Sequence, residues 1–371
     1  MNFDNRFLGR SVFQAVLAFG LMALPLIERR NVQAATIGIS IPLSGDAAEL
    51  GQRFRIGAKL AMEQFGSGHE LYIADDGCDP DLGALAADSL ETANSAIIVG
   101  MICNAPAKAI ANKFAGTKIP AIVSGARSIR LIKDRDREEW NLWRLSPGDD
   151  YPVSIAADAI KDRWQTTPYA IVDDGTIYGR SFTDQLRAKM DEIGLQPQFS
   201  DTFRAAQSTQ AGLLRRLQRS GVTAAFIASA SMEDLFTISR NLKDFEIELE
   251  ILTSEALSVL PLLEEADKIP AGIRVVMAPI PEDSGLAEIL VARNIDPDRQ
   301  IYHGYAAIQV AVSALELQED NPTAAIENSA FQTVLGTVKF EPNGSSTYNP
   351  YRLFEWDGKN LVPSQPETEV Q

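Results

Sequence analysis

Short runs of apolar residues alternate with longer amphipathic stretches along most of the chain. The first runs are too short for helices and stop beside Gly, Asp or Ser; they cover residues 37–43, 71–74, 96–100 and 121–123. Such runs are typical of buried parallel strands. Between them, apolar residues recur three or four positions apart and predict helices around 54–65, 82–93 and 106–114.

The same alternation starts again after a break near residues 143–150. It predicts strands over 169–172, 224–228 and 251–252, separated by helices near 181–193, 208–220 and 233–244. Repeated strand-helix units form doubly wound parallel sheets with helices on both faces. We therefore predict an α/β protein with two similar lobes.

A third segment begins near residue 277 and has a different pattern. It contains a predicted helix over 303–318 and two apolar runs, 338–340 and 351–356. An Asn343-Gly344 pair between these runs is typical of a tight turn, so we predict that they form a strand pair.

The first 35 residues differ from the rest of the sequence. Arg6 and Arg10 precede an uncharged apolar run over residues 12–27, and small residues follow near Ala34 and Ala35. This order predicts a secretory signal peptide that is cleaved near Ala34 or Ala35. A membrane anchor is the alternative, but the run is shorter than the ~20 residues that a spanning helix needs.

Composition and charge limit the range of partners. The 371 residues are 45% hydrophobic and 23% charged, which is ordinary for a soluble globular protein of about two domains. The net charge of -16 would repel a phosphate backbone, so we expect no nucleic-acid partner. The two cysteines, Cys78 and Cys103, would usually pair in an oxidising compartment; two buried free thiols are the alternative.

The usual residue arrangements for catalysis are missing from the sequence. The two histidines lie in different segments, and we expect His69 in an exposed turn and His303 at a helix start. There is no dinucleotide fingerprint, phosphate-binding loop or nucleophile elbow. The acidic residues of 75–81 lack the spacing of an EF-hand. We therefore predict no catalytic residue, no metal and no cofactor.

What remains is an architecture for binding. In open parallel sheets, ligands bind beyond the carboxyl ends of the strands, where helix N-termini attract anions. Asn104 and Pro106 follow the predicted strand at 96–100. Pro106 suits the first turn of a helix, and Asn104 either caps that helix or offers its amide to a ligand.

Several motifs together resemble the type I periplasmic binding proteins of the Leu/Ile/Val-binding family. The resemblance spans residues 37–358 and rests on the following segments: Ile37-Gly-Ile-Ser-Ile-Pro-Leu-Ser-Gly45, Gly57-Ala-Lys-Leu-Ala61, Asp75-Asp-Gly-Cys-Asp-Pro80, Ile119-Pro-Ala-Ile-Val-Ser-Gly-Ala126, Asp174-Gly-Thr-Ile-Tyr-Gly179, Gly304-Tyr-Ala-Ala307 and Phe331-Gln-Thr-Val-Leu-Gly336. It implies two doubly wound lobes, joined by a three-stranded hinge, that close on a ligand without catalysis.

The resemblance also implies how the chain is divided. We expect a signal peptide over 1–35, the first part of lobe 1 over 36–147, lobe 2 over 148–277, the second part of lobe 1 over 278–345, the C-terminal strands of lobe 2 over 346–362, and a polar tail over 363–371.

Ligand-binding residues can be carried over by position. In the family, a Ser beside the second cysteine and a nearby Ala-Thr segment hold the ligand's carboxylate; here Asn104 and Arg127 stand at the Ser and Thr positions. Glu255 matches the acid that receives an α-ammonium group, and we expect such a buried carboxylate to need a cationic partner. The full predicted set is Asn104, Ala105, Gly125, Ala126, Arg127, Tyr178, Ser231 and Glu255.

Two functions follow from the resemblance. The first is an extracytoplasmic receptor that captures an amino-acid-like ligand and delivers it to the permease subunits of an ABC transporter; the second is a sensor or an amide/urea-type binding protein of the same fold. We expect a periplasmic monomer in either case. Arg127 either reads the ligand, because its planar fork suits a carboxylate, or pairs with Asp149 or Asp150.

Overall fold

The computed structural model describes residues 34–66, 68–148, 150–229, 231–255, 269–281 and 284–364. The predicted signal peptide lies outside these ranges except for Ala34 and Ala35, and the predicted tail lies outside them after residue 364. Within the described ranges, no helix has the length and apolar character needed to cross a membrane.

The first lobe is built on a parallel sheet. Its elements in chain order are β1 (Thr36–Ile41), α1 (Ala48–Phe65), β2 (Glu70–Asp75), α2 (Pro80–Thr92), β3 (Ser95–Gly100), α3 (Asn104–Lys113), β4 (Ala121–Val123), α4 (Ile129–Lys133) and β5 (Leu142–Arg144). The five strands lie in the order β2-β1-β3-β4-β5. The four predicted strands and three predicted helices are confirmed, while β5 lies where the sequence pattern indicated only a break.

The second lobe repeats this construction. It contains α5 (Asp150–Trp164), β6 (Tyr169–Asp173), α6 (Ile177–Glu192), β7 (Phe199–Thr202), α7 (Ala211–Ser220), β8 (Ala224–Ala228), α8 (Met232–Asp244), β9 (Glu250–Thr253) and β10 (Arg274–Met277). The chain continues with α9 (Gly285–Ala292), α10 (Arg299–Leu317), α11 (Pro322–Asn328), β11 (Ala330–Thr333), β12 (Gly336–Lys339), β13 (Arg352–Trp356) and β14 (Leu361–Pro363). The second sheet has seven strands in the order β14-β13-β10-β9-β8-β6-β7.

The predicted pairing of 338–340 with 351–356 is wrong. β12 instead pairs antiparallel with β11, and β13 pairs antiparallel with β10 in the second sheet. The predicted turn does exist, because the Gly344 amide donates to the Glu341 carbonyl at 2.8 Å and Gly344 has a φ of +88°. The turn closes only a short antiparallel contact, in which the Glu341 amide donates to the Ser345 carbonyl at 2.8 Å and Phe340 bridges Ser346. The chain then leaves the first lobe, so residues 351–356 pair elsewhere.

The central strands of the two large sheets, β1 and β3 in the first and β6 and β8 in the second, are buried on both faces, which explains why they are continuously apolar. Along β3, Ile97 and Val99 join one core cluster and Ile98 joins another, as the alternation of strand side chains requires. Helices α1 and α10 supply the first cluster, while α2 and α3 supply the second. In the second lobe, α5 and α6 cover one face and α7 and α8 cover the other.

Helices α1 and α10 approach each other closely through two glycines. A Cβ atom on Gly57 would lie 1.9 Å from the Ile301 carbonyl oxygen, and one on Gly304 would lie 2.2 Å from the Phe54 carbonyl oxygen. The Tyr305 hydroxyl donates a hydrogen bond to the side chain of Gln64 across the same interface. No larger residue than glycine fits at this contact without moving a helix backbone.

The chain passes between the two sheets three times, after β5, after β10 and after β12. The first and third passages are bonded to each other: the Arg144 amide donates to the Gly344 carbonyl at 2.7 Å, and the Ser346 amide donates to the Arg144 carbonyl at 2.9 Å. The Ser346 hydroxyl also donates to the Leu145 carbonyl at 2.9 Å. The two-lobed architecture is thus the one that the resemblance implies, while the individual domain boundaries remain predictions.

Candidate functional site

A cleft of about 390 Å³ opens between the lobes. Arg127 from the first lobe and residues of the second lobe line it together: Pro152, Ile177, Tyr178, Ser181, Phe182, Gln185 and Glu255. This volume lies in the range of sites for small molecules. The cleft brings together three of the predicted binding residues, namely Arg127, Tyr178 and Glu255.

The fold explains why these three side chains meet. Arg127 follows β4, Tyr178 lies in the first turn of α6 after β6, and Glu255 follows β9, so all three come from the carboxyl ends of parallel strands. The start of α6 is fixed by Thr176, whose hydroxyl oxygen accepts from the Gly179 amide at 3.0 Å. The Asp174 carboxylate in turn accepts a hydrogen bond from the Thr176 amide at 3.0 Å.

Glu255 already has a cationic partner within the chain. Arg299, the first residue of α10, donates from Nη1 to Glu255 Oε2 at 2.9 Å, and the two side chains are 29% and 22% exposed. The second guanidinium nitrogen, Nη2, donates to the Ala278 carbonyl at 3.0 Å. Arg299 is thus the cationic partner that a buried Glu255 was expected to need, and the contact of Glu255 with an ammonium group of the ligand remains a prediction.

The electrostatic surroundings of Glu255 favour its ionised form. Burial by itself raises the pKa of this carboxyl group, but the charges of Arg299 and Arg127 and the nearby Tyr351 hydroxyl outweigh it and lower the pKa overall. The Tyr351 hydroxyl and Glu255 Oε1 are both buried without a well-formed hydrogen bond among the described residues. Burial raises the pKa of Tyr351, so this phenol stays protonated at neutral pH.

A small cavity of about 10 Å³ lies beside the cleft, where the passages between the lobes meet. Arg127, Arg299, His303, Tyr348 and Tyr351 are among its lining residues. His303 is 4% exposed, and burial, with help from the charges of Arg299 and Arg127, lowers its pKa to about 3. The imidazole is therefore neutral, and the charged groups at this place are two guanidinium groups and one carboxylate.

Both predicted roles of Arg127, contact with the ligand and pairing with Asp149 or Asp150, remain predictions. Arg127 lines the small cavity together with His303 and Tyr351 and the cleft together with Glu255, and its charge lowers the pKa of Glu255 and of His303. Its backbone carbonyl accepts a hydrogen bond from Arg144 Nη1 at 3.1 Å. Of the two acids that were predicted as alternative partners, Asp149 lies outside the described residues.

The other predicted binding residues have structural roles and do not line the cleft. Asn104 Oδ1 accepts from the Ser128 amide at 3.1 Å and so ties α3 to the loop after β4; it does not cap the helix, which follows Cys103. Ser231 caps α8 through the Asp234 amide at 3.4 Å. Ala105, Gly125 and Ala126 also lie outside the lining of the cleft. Their contact with a ligand remains a prediction.

The two cysteines form a disulfide with a Cα–Cα distance of 5.3 Å. The bond ties the loop between β2 and α2 to the residue that precedes α3. Cys78 itself has a φ of +55°, a conformation that is uncommon for residues other than glycine. This crosslink holds together two of the loops at the carboxyl edge of the first sheet.

The histidine expectations are partly wrong. His69 is 8% exposed rather than in an exposed turn, and its Nδ1 accepts from the Ala35 amide at 3.3 Å. His303 lies near the start of α10 as expected, but it is buried among the groups described above. Among the described residues, no three or more His, Cys, Asp or Glu side chains come together as a metal site would require.

Sequence reasoning missed Arg299 and one face of α6. The predicted helix over 303–318 actually begins at Arg299, after Asp298, whose carboxylate accepts from the Gln300 amide at 2.7 Å. An Asp directly before a helical pattern is a typical N-cap signal, and Asp298 could have indicated that the helix begins at residue 299 rather than 303. On α6, Tyr178, Ser181, Phe182 and Gln185 share a face by their spacing of three and four.

A family model described as periplasmic binding protein matches residues 34–360. The chain belongs to the periplasmic binding protein family. Within this family it is 23% identical over 370 residues to the Leu/Ile/Val-binding protein homolog 2 of Brucella abortus (strain 2308). The alignment covers 94% of this chain and 98% of that protein. The predicted membership of the Leu/Ile/Val-binding family is confirmed.

Solved structures of this periplasmic binding protein family share the fold. One is LivJ from Streptococcus pneumoniae in complex with isoleucine, with a TM-score of 0.66, 14% identity and coverage of 90% of this chain and 100% of that chain. Another is a solute binding protein of an ABC transporter from Rhodopseudomonas palustris HaA2 in complex with p-hydroxybenzoic acid, with a TM-score of 0.69, 16% identity and coverage of 91% and 98%. Each of these two solved proteins is a transporter's binding protein in complex with a small molecule.

Proposed function

We propose that this chain is the extracytoplasmic substrate-binding protein of an ABC importer. In this role it captures a small carboxylate, an amino acid or a related acid, between its lobes and delivers it to the permease subunits. The observation that carries the proposal is the cleft of about 390 Å³, which Arg127 lines from one lobe and Tyr178 and Glu255 line from the other. A ligand that touches both lobes favours their closed arrangement by its differential contacts.

The charges of the site support an anionic group on the ligand. Two arginines and one glutamate, with a neutral His303 between them, leave an excess of positive charge beside the cleft. The names of the relatives support the same general class, since one solved structure holds isoleucine and another holds p-hydroxybenzoic acid. Both of those ligands carry a carboxylate. We propose binding without catalysis, in line with the family's transport proteins.

We propose that the signal peptide is removed near Ala34 or Ala35 and that the mature protein works in the periplasm as a monomer. The family supports the periplasmic location.

Removal of the Arg127 side chain tests the proposal. Mass spectrometry of molecules retained through purification, followed by calorimetry against a panel of amino acids, organic acids and amides, identifies a ligand. Arg127→Ala should then weaken binding at least tenfold, because losing a partner of a desolvated charge costs roughly 2–5 kcal/mol. Arg130→Ala is the matched control, since Arg130 is exposed on α4. An unchanged affinity in Arg127→Ala would remove this residue from the site.

A further inference from the structure

Glu255 and Arg299 join the two lobes across the site. Glu255 follows β9 in the second lobe, while Arg299 begins α10, which packs against α1 in the first lobe. Their ion pair is short, at 2.9 Å, and Arg299 is oriented a second time by the Ala278 carbonyl at 3.0 Å. Glu255 Oε2 is therefore engaged by a well-held guanidinium group before any ligand arrives.

An α-amino acid and its deaminated analogue need different partners in this site. The carboxylate of either one is attracted by the positive charge of Arg127, which lines the cleft. The ammonium group of the amino acid additionally needs an anionic acceptor, and it must compete with Arg299 for Glu255. It would also add a positive charge to a place that already holds two guanidinium groups, which opposes its entry.

We propose that Arg299 determines specificity by occupying Glu255, so that the site selects carboxylates that lack an α-ammonium group. This inference rests on the proposed function and narrows its ligand class. Apart from Ser181 and Gln185, the second-lobe residues that line the cleft beside Glu255 suit an apolar part of the ligand. Ile177 is 91% exposed, Tyr178 is 39% exposed, and Phe182 and Pro152 complete an apolar wall.

Calorimetry with matched ligand pairs tests the inference. We would use L-leucine against 4-methylpentanoate and L-phenylalanine against 3-phenylpropanoate, since each pair differs only by the ammonium group. The mature protein should bind the acid of at least one pair at least tenfold more tightly than the amino acid. Arg299→Gln should reduce or reverse this ratio, because it frees Glu255 for an ammonium group.

Two further variants separate specificity from stability. Arg293→Gln is the control, because Arg293 lies in the same lobe and pairs with Glu63 at 2.8 Å on the surface; it should leave the ratio unchanged. Glu255→Gln removes the anionic acceptor, so it should weaken binding of the amino acid no more than binding of the acid if Glu255 serves Arg299 rather than the ligand. This second variant keeps the test decisive even if Arg299→Gln fails to fold.

The outcomes distinguish the inference from the proposed function. Tighter binding of the amino acid, an unchanged ratio in Arg299→Gln, or a selective loss of amino-acid binding in Glu255→Gln would each overturn the inference while leaving a receptor for small carboxylates. Absence of binding by every amino acid, acid and amide in the panel would overturn both.

Discussion

The buried imidazole of His303 makes the stability of the protein sensitive to mild acid. This side chain is 4% exposed, and burial together with the charges of Arg299 and Arg127 lowers its pKa from 6.5 to about 3. The Tyr348 ring packs edge-on against it, with centroids 6.4 Å apart. The folded state therefore holds His303 neutral where the unfolded chain would protonate it.

The sign of the effect follows from proton binding. Between pH 6.5 and 3 the unfolded state binds one more proton at this residue, so the free energy of unfolding falls as the pH falls. The loss starts near pH 6.5, reaches about 2 kcal/mol at pH 5 and approaches about 5 kcal/mol below pH 3. Above pH 7 this contribution to the pH dependence is absent.

Urea denaturation of the wild type and of His303→Gln at pH 7 and pH 5 measures the effect. Glutamine does not titrate, so the wild type should lose about 2 kcal/mol more than the variant between the two pH values. The comparison cancels the carboxyl groups that both proteins share. Equal losses in the two proteins, or an NMR titration of His303 with a midpoint near pH 6.5, would refute the reasoning.

Two further predictions concern stability. The Cys78–Cys103 bond joins residues 25 positions apart, and its reduction should lower the free energy of unfolding by about 3 kcal/mol in urea titrations. The protein with both cysteines replaced by alanine is the control. Alkylation of both thiols in unreduced protein would contradict the bond. Gly304→Ala should destabilise by about 1–3 kcal/mol or more, because its Cβ would lie 2.2 Å from the Phe54 carbonyl oxygen, whereas Gly285→Ala meets no atom within 4 Å and should change stability little. Equal thermal midpoints for the two variants would argue against a tight helix contact.

The sequence pattern predicts most of the fold because the strands are short, apolar and buried on both faces. Periodicity alone separates these strands from the amphipathic helices between them. It failed where the partner of a strand is distant: β13 looks like the second half of a hairpin, yet its partner is β10, across an intervening stretch of the first lobe. Local turn signals carry no information about such a partner.

The candidate site also has a part that could be predicted from the sequence and a part that could not. Arg127, Tyr178 and Glu255 could be named from the sequence through the resemblance to the family, and the structure brings all three to one cleft. The ion pair between Glu255 and Arg299 joins residues 44 positions apart in different lobes, and no spacing rule indicates it. Its consequence for the charge of the ligand could be seen only with the two lobes in place.

The glycine contact between α1 and α10 also sets a condition on synthesis. Gln64 and Tyr305, which bond across this contact, are 241 residues apart. At about 5–20 residues per second, a ribosome needs on the order of 10–50 s to make the intervening chain. During that time the apolar face of α1 has no α10 to cover it. The parallel strands β6 to β10 of the second lobe are synthesised within this interval, before α10. The first lobe is thus begun first and completed late, and its nascent form exposes a surface that chaperones would be expected to recognise.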